Sequence, residues 1–308
     1  MKPMIPIATK LPEGVNMDEL LAQLRKLSWG AADILMSYAR GLQPPHGFSR
    51  ELKIQDTDDG PVSAADLAVN CWLLDGFKSN FPSVAWKLLS EETAKNQLIE
   101  DATSDSEWLW ILDPLDGTKD FLVGTGEYAV HLALVRGREP VLGVVLIPER
   151  EELWLGVLGL DTWCEDRKGN KKSFCFSNRE ALSELILVAS RNHRDERLES
   201  LIRNLAINDS KAVGSVGCKI ATILRGEADF YISLSGRTAP KDWDMAAPEI
   251  VLRSAGGDLT HADGRPLDYN KGDFLQAGCL IASHGLNHAL LCRTILQEMQ
   301  LIDSAFLV

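Results

Sequence analysis

Residues 110–121 read WILDPLDGTKDF. An apolar run of strand type, WLWIL at 108–112, delivers Asp113 and then Asp116, with Pro114, Gly117 and Thr118 between and behind them. One reading is turn chemistry, since Asp, Pro and Gly each favour a tight reversal for their own steric reason. The other is that the two acids hold a cation over a phosphate. The stretch decides the fold because it ends a buried strand and starts the part of the chain that carries polar chemistry.

Three other segments place acids where an element begins or ends. They are Asp66 in PVSAAD, Glu91 and Glu92 in SEET, and Asp242 and Asp244 in KDWDMAAPE. A hard cation such as Mg²⁺ takes oxygen ligands, and one turn cannot surround it, so acids converging from several elements are what such a site needs. Each acid also has a plainer reading. Ser63 followed by Asp66 is a capping-box start. Asp242 and Asp244 are first-turn acids that suit a helix N-terminus. Glu91 and Glu92 could be a solvated loop.

Around these segments the pattern is mixed. Residues 17–40 carry Leu20, Leu24, Leu27, Ala31, Ile34 and Tyr38 at helical spacing, with Asn16 placed to cap the start and Gly41 to stop it. A polar stretch over 42–60 leads to a second predicted helix over 63–80. WLWIL, YAVHLALV, VLGVVLIP and ELWLGVL then follow as short β-rich runs spaced like an antiparallel meander. After about residue 180 strands and helices alternate. LILVAS (185–190), helices near 194–206, 217–226 and 244–255, ADFYISL and CLIAS predict a second, smaller α/β unit. The expected division is 1–180, carrying most of the acids, and 181–308.

Composition narrows the function. The chain has 308 residues, 45% hydrophobic and 25% charged, which is ordinary for a globular protein. A net charge of −12 argues against a nucleic-acid polymer, which needs a basic face. It permits a small phosphorylated substrate if cations supply charge locally. No stretch has the length of a signal-peptide core or a membrane span. The six cysteines, at 71, 164, 175, 218, 279 and 292, show no C-x-x-C spacing and read as buried reduced thiols, so a cytoplasmic protein is expected.

The strings PVSAAD, SEET, WILDPLDGTKDF and KDWDMAAPEIVLRSAGG, in this order over about 60–260, resemble the motifs of the inositol monophosphatase superfamily. DGTKDF, SRNH (190–193) and GCKIATILRGEADFY resemble its 3′(2′),5′-bisphosphate nucleotidase branch. The resemblance implies an α/β, layered αβαβα sandwich and a lithium-sensitive phosphatase using two or three Mg²⁺ ions. By resemblance Glu91, Asp113 and the Leu115 carbonyl hold one ion, and Asp113, Asp116 and Asp244 a second. Asp66 lies beside a weaker third. Gly117 and Thr118 open a turn whose amides bind the phosphate, Asp66 and Thr118 form the catalytic pair, and Ser190, His193, Ser215 and Lys219 match substrate-contacting positions. Lys219 would meet a second phosphate, whereas the plainer reading makes it a solvated helix residue. Lys241 is a weaker candidate of the same kind. The implied reaction is attack by metal-activated water on the 3′-phosphate of 3′-phosphoadenosine 5′-phosphate or its sulfated form, without a phosphoenzyme. Inositol monophosphate and fructose 1,6-bisphosphate are the alternative substrates. The expected assembly is a monomer or homodimer.

Two rival chemistries fit less well. An aspartyl-nucleophile phosphatase of the haloacid dehalogenase class has one residue between its acids, where this chain has Pro114 and Leu115. The other rival is not an enzyme but a Ca²⁺- or Mg²⁺-stabilised binding protein; an EF-hand would require D-x-[DN]-x-[DN]-G with a later Glu, which the stretch lacks.

Overall fold

A computed structural model describes residues 11–57, 60–96, 106–192, 196–205, 207, 209–235 and 239–303. Five layers stack as helix, sheet, helix, sheet, helix. Among the described residues the first sheet has seven strands: β3 (Lys87–Ser90), β4 (Trp108–Asp116), β5 (Ala129–Arg136), β6 (Glu139–Ile147), β7 (Glu152–Val157), β8 (Thr162–Glu165) and β9 (Lys171–Lys172), in that order across the sheet. From β4 onward every neighbour is antiparallel, as the meander pattern predicts, while β3 joins β4 in parallel.

These strands read as nearly continuous apolar runs because both faces are covered. In β4, Trp110 and Leu112 face the outer helices α1 (Met17–Ala39) and α2 (Ala64–Asn80), packing with Leu24, Leu27 and Phe77. Their neighbours Leu109 and Ile111 point the other way, toward α6 (Val216–Leu224) and α7 (Asp242–Ser254), as the two-residue period of a strand requires. Gly143 and Gly156 let α7 come close: a methyl group at either position would lie 2.3 Å from Ile250 Cγ2 or 2.5 Å from Val251 Cα.

The second sheet runs β11 (Asp209–Val213), β10 (Ile186–Ser190), β12 (Phe230–Ser235), β14 (Gly278–Ser283) and β13 (Asp258–His261). It is mixed. β10 is parallel to β11 and β12, whereas β14 is antiparallel to β12 and β13. Its inner face shares the α6–α7 layer, and its outer face carries α5 (Glu196–Asn204) and α8 (His288–Ile302) through Leu198, Leu201, Ile295 and Met299. The observed architecture is thus the expected α/β layered sandwich.

Several readings need correction. The polar stretch 42–60 is not all loop, because Ile54–Thr57 (β1) pairs antiparallel with Gly60–Ser63 (β2). All four residues of β1 are exposed, so no apolar alternation marks it. β13 is similarly short and was not foreseen. Of the six free cysteines, 164, 218, 279 and 292 are buried, but Cys71 and Cys175 are exposed, one on the open face of α2 and the other in the loop before β10. Among the described residues no helix is long and apolar enough to cross a membrane.

Candidate functional site

Asp113 and Asp116 are three residues apart, so a regular strand would send them to opposite faces. The β4–β5 register shifts between them: Asp113 faces His131 while Asp116 faces Ala129, one residue extra on the β4 side. This bulge restores both carboxylates to the inner face. Pro114 has no N–H to lose from the ladder, and the Leu115 N–H is taken by Asp113 Oδ1 at 2.9 Å. Asp244 arrives from the first turn of α7, where its Oδ2 accepts from the Lys241 N–H at 2.5 Å. Ligand oxygens of Asp113, Asp116 and Asp244 all lie within 4.8 Å of one another.

Such a gathering is unfavourable unless something positive joins it. Asp113 is 1% exposed and, among the described residues, no group donates a hydrogen bond to its Oδ2. Burial first, then the negative charges of Glu91, Asp116 and Asp244, push its pKa well above the carboxylate range. Burial, then Asp116 and Glu91, push Asp244 up to about 8. An orphaned buried oxygen amid carboxylates that resist ionising together fits a divalent cation, which satisfies both demands at once.

Glu91 begins α3 (Glu91–Asn96) and stands beside the three-acid cluster, its carboxylate 2.9 Å from Lys95 Nζ one turn later. Glu92 is buried, and burial, then the Glu91 charge, hold it up to about 7. Sequence reading missed Lys95, although the i,i+4 spacing from Glu91 was its signal.

Asp116 is held from behind. Ser215 Oγ donates to its Oδ2 at 2.5 Å and the Gly217 N–H at 3.2 Å, while Ser215 also caps α6 by accepting from the Cys218 N–H. His131 Nε2 lies 3.3 Å from the same oxygen, and its Nδ1 is 3.3 Å from the Trp243 carbonyl. Burial lowers the His131 pKa, with Asp116 pulling upward against it. A histidine within the apolar run YAVHLALV was the available sign of this contact.

Asp66 and Thr118 meet. Asp66, 1% exposed, accepts from the Ser63 N–H at 2.8 Å and Ser63 Oγ at 2.6 Å with one oxygen, and from Thr118 Oγ1 at 2.9 Å with the other. The capping-box reading and the pairing with Thr118 therefore hold together rather than compete. Burial raises the Asp66 pKa despite these hydrogen bonds. Thr118 opens α4 (Thr118–Val123), and its hydroxyl also lies 3.2 Å from the Leu115 carbonyl. Gly117 before it has φ +92°, and a methyl there would come 3.1 Å from the Glu127 carbonyl. Only glycine passes this turn without strain.

The remaining expected residues lie on the second sheet's side. Ser190 ends β10 beside Val213. Lys219 is 4% exposed, so the solvated reading fails: its ammonium donates to the Gly214 carbonyl and sits 5.3 Å from the Tyr231 ring. Burial lowers its pKa against the pull of Asp116. Lys241 is half-buried at the start of α7, its ammonium 5.7 Å from the Trp243 ring. His193 lies outside the described residues.

Comparison with known proteins bears on this site. The model of the inositol monophosphatase family matches residues 16–300. The 3′(2′),5′-bisphosphate nucleotidase CysQ of Escherichia coli (strain K12) is 31% identical over 84% of this chain and 98% of its own length. Among solved structures, CysQ from Bacteroides thetaiotaomicron superposes with TM-score 0.68 at 25% identity, covering 88% of this chain and 99% of that one. An inositol monophosphatase from Anabaena superposes with TM-score 0.69 at 25% identity over 92% and 97%.

Proposed function

The chain belongs to the inositol monophosphatase family, a family of phosphoric monoester hydrolases, and from that premise we propose that it removes the 3′-phosphate of 3′-phosphoadenosine 5′-phosphate, releasing AMP and phosphate, with Mg²⁺ as cofactor. The observation that carries the chemistry is the Thr118–Asp66 hydrogen bond set beside the three-carboxylate cluster. The substrate is carried by likeness to the nucleotidases, 31% identical across 98% of the relative's length.

Asp113, Asp116, Asp244, Glu91 and the Leu115 carbonyl would hold the metal, in two or three ions. When bound, Mg²⁺ supplies the positive charge that acidifies water and offsets charge developing on the phosphate and its leaving oxygen. The chain's own residues do the rest. Thr118 spends its proton on Asp66, which leaves hydroxyl lone pairs to accept a proton from water. As water attacks and the P–O bond to the 3′ oxygen breaks, the water's proton passes to Thr118 Oγ1, the threonine proton passes to Asp66, and the departing 3′ oxygen takes up a proton from solvent to become the hydroxyl of AMP. Asp66 suits that role because burial makes it a better base than a surface carboxylate. Ser63 pins it, so it cannot turn away. The left-handed Gly117 lets a phosphate approach the backbone, and Ser215 and Gly217 fix the direction of Asp116. We further propose lithium sensitivity, a cytoplasmic setting, and the division into units 1–180 and 181–308, with the active site where the two meet.

A phosphate-release panel tests the reading, using 3′-phosphoadenosine 5′-phosphate, its sulfated form, inositol 1-phosphate and fructose 1,6-bisphosphate, with Mg²⁺. The expected result is the highest kcat/KM on the adenosine bisphosphate, with AMP as product. A preference for inositol phosphate or fructose bisphosphate would overturn the substrate assignment.

A further inference from the structure

Arg191 and Asn192, the middle of the SRNH string, have no part in the chemistry above, yet they end in a buried carboxylate next to it. Asp120 lies two residues after Thr118 on α4 and is 2% exposed. It accepts from Arg191 Nη1, from Asn192 Nδ2 at 2.9 Å and from Thr125 Oγ1 at 3.0 Å. The other arm of the Arg191 guanidinium reaches Glu127 Oε2 at 2.7 Å and the Ala212 carbonyl at 3.1 Å. Glu127 Oε2 in turn accepts from the Gly214 N–H at 2.8 Å, and its carbonyl accepts from the Ser215 N–H at 3.3 Å. One planar cation therefore joins α4, the strand-leading segment 125–127, the end of β10 and the end of β11.

What these segments carry gives the join its meaning. α4 begins with Gly117 and Thr118. The Gly214–Ser215 peptide abuts Gly117, since a methyl on Gly117 would lie 3.3 Å from Ser215 Cβ, and a methyl on Gly214 would lie 2.5 Å from Asp120 Cγ. Arg191 itself follows Ser190, the last residue of β10. We propose that the Asp120–Arg191–Glu127 ion triad is a positioning device that fixes the spacing between the phosphate end of the site and the β10 end, and so determines affinity for substrates recognised at both ends. This rests on the bisphosphate reading, which assigns Ser190 at the β10 end to the substrate. Arg is suited to the task because its rigid fork binds two carboxylates in one plane, which a lysine cannot do. Neither Asp120 nor Arg191 touches the reacting atoms.

The test separates positioning from bulk stability by a KM-against-kcat comparison on two substrates. Asp120→Asn is isosteric and leaves Arg191 paired with Glu127, so the fold should survive. Arg191→Gln removes the ion pairs to Asp120 and Glu127 and leaves the Asn192–Asp120 hydrogen bond across the join, and the double variant completes a cycle. Each is assayed with 3′-phosphoadenosine 5′-phosphate and with p-nitrophenyl phosphate, which offers only a reacting phosphate. The triad predicts KM for the bisphosphate raised at least about tenfold in Arg191→Gln with kcat within about threefold, and kcat/KM for p-nitrophenyl phosphate within about threefold. The two single effects should be less than additive in the double variant. Equal losses on both substrates, or no change on either, would overturn the proposal; if Arg191→Gln does not fold, Asp120→Asn alone decides on the same criterion. Should the wild type ignore the bisphosphate, the substrate reading fails, and the comparison is made with whichever sugar or inositol phosphate it turns over.

Discussion

Asp113→Asn should affect the protein in opposite directions with and without metal. Three carboxylates whose oxygens lie within 4.8 Å repel by about 3 kcal/mol per fully charged pair at an effective dielectric near 20. Asn keeps an oxygen for the Leu115 N–H and turns the orphaned Oδ2 position into an N–H donor facing Asp116 and Asp244. Because the wild-type cluster already sheds part of its repulsion by holding protons, we expect a net gain of about 1–3 kcal/mol in chelator. For a chain this long that is a rise in Tm of roughly 2–6 °C. The sign with pH follows from the raised values of Asp113 and of Asp244 at about 8. The folded state holds protons that the unfolded state has released, so metal-free wild type is stable below the unfolded carboxylate value and loses stability as pH climbs to the folded values. The gap between variant and wild type should therefore widen from about pH 5 to about pH 9. With Mg²⁺ the order reverses: wild type gains by mass action, about 2.7 kcal/mol at a hundredfold excess over Kd, and the variant gains little. Differential scanning fluorimetry across pH, in chelator and in Mg²⁺, reads all of this. Equal destabilisation by Asp113→Asn under both conditions would refute the reasoning.

Other substitutions address the remaining parts. Asp66→Asn and Thr118→Ala should each lower kcat by about 10²–10⁴-fold, and the double variant should lose little more, because the two groups act as one unit; near-normal turnover in folded Asp66→Asn protein would leave this carboxylate only its capping role. Gly117→Ala forces a side chain into a left-handed turn 3.1 Å from a carbonyl oxygen, so steady-state assays should show turnover falling well before stability does. Lys219→Met should raise KM for a bisphosphate more than for a monophosphate by the equivalent of about 1.5–3 kcal/mol. Identical effects on the two would confine Lys219 to its bond with Gly214.

Much of this site was legible because it depends on local patterns. The helix over α1, the capping box at Ser63, the apolar strand before Asp113 and the four acidic segments are all set by neighbours in sequence. What brings the acids together is not local. The bulge that turns Asp116 to the face of Asp113 is a property of β4 pairing with β5, and the arrival of Asp244 depends on α7 packing between two sheets. Burial of Lys219 was illegible for the same reason, since GCKIATIL admits both a phosphate-binding and a solvated lysine until Tyr231 and Gly214 are seen to enclose it. β1 and β13 lack the alternation that marks longer strands. The exposure of Cys71 follows from which face of α2 meets α1, and helical periodicity alone was too weak there to decide it.

Phosphate release from 3′-phosphoadenosine 5′-phosphate, followed while Mg²⁺ is titrated into chelated protein, tests the central claim most directly. The account predicts no release in chelator, full recovery as Mg²⁺ is added, and no recovery in Asp113→Asn. Release at an undiminished rate in excess chelator would contradict it.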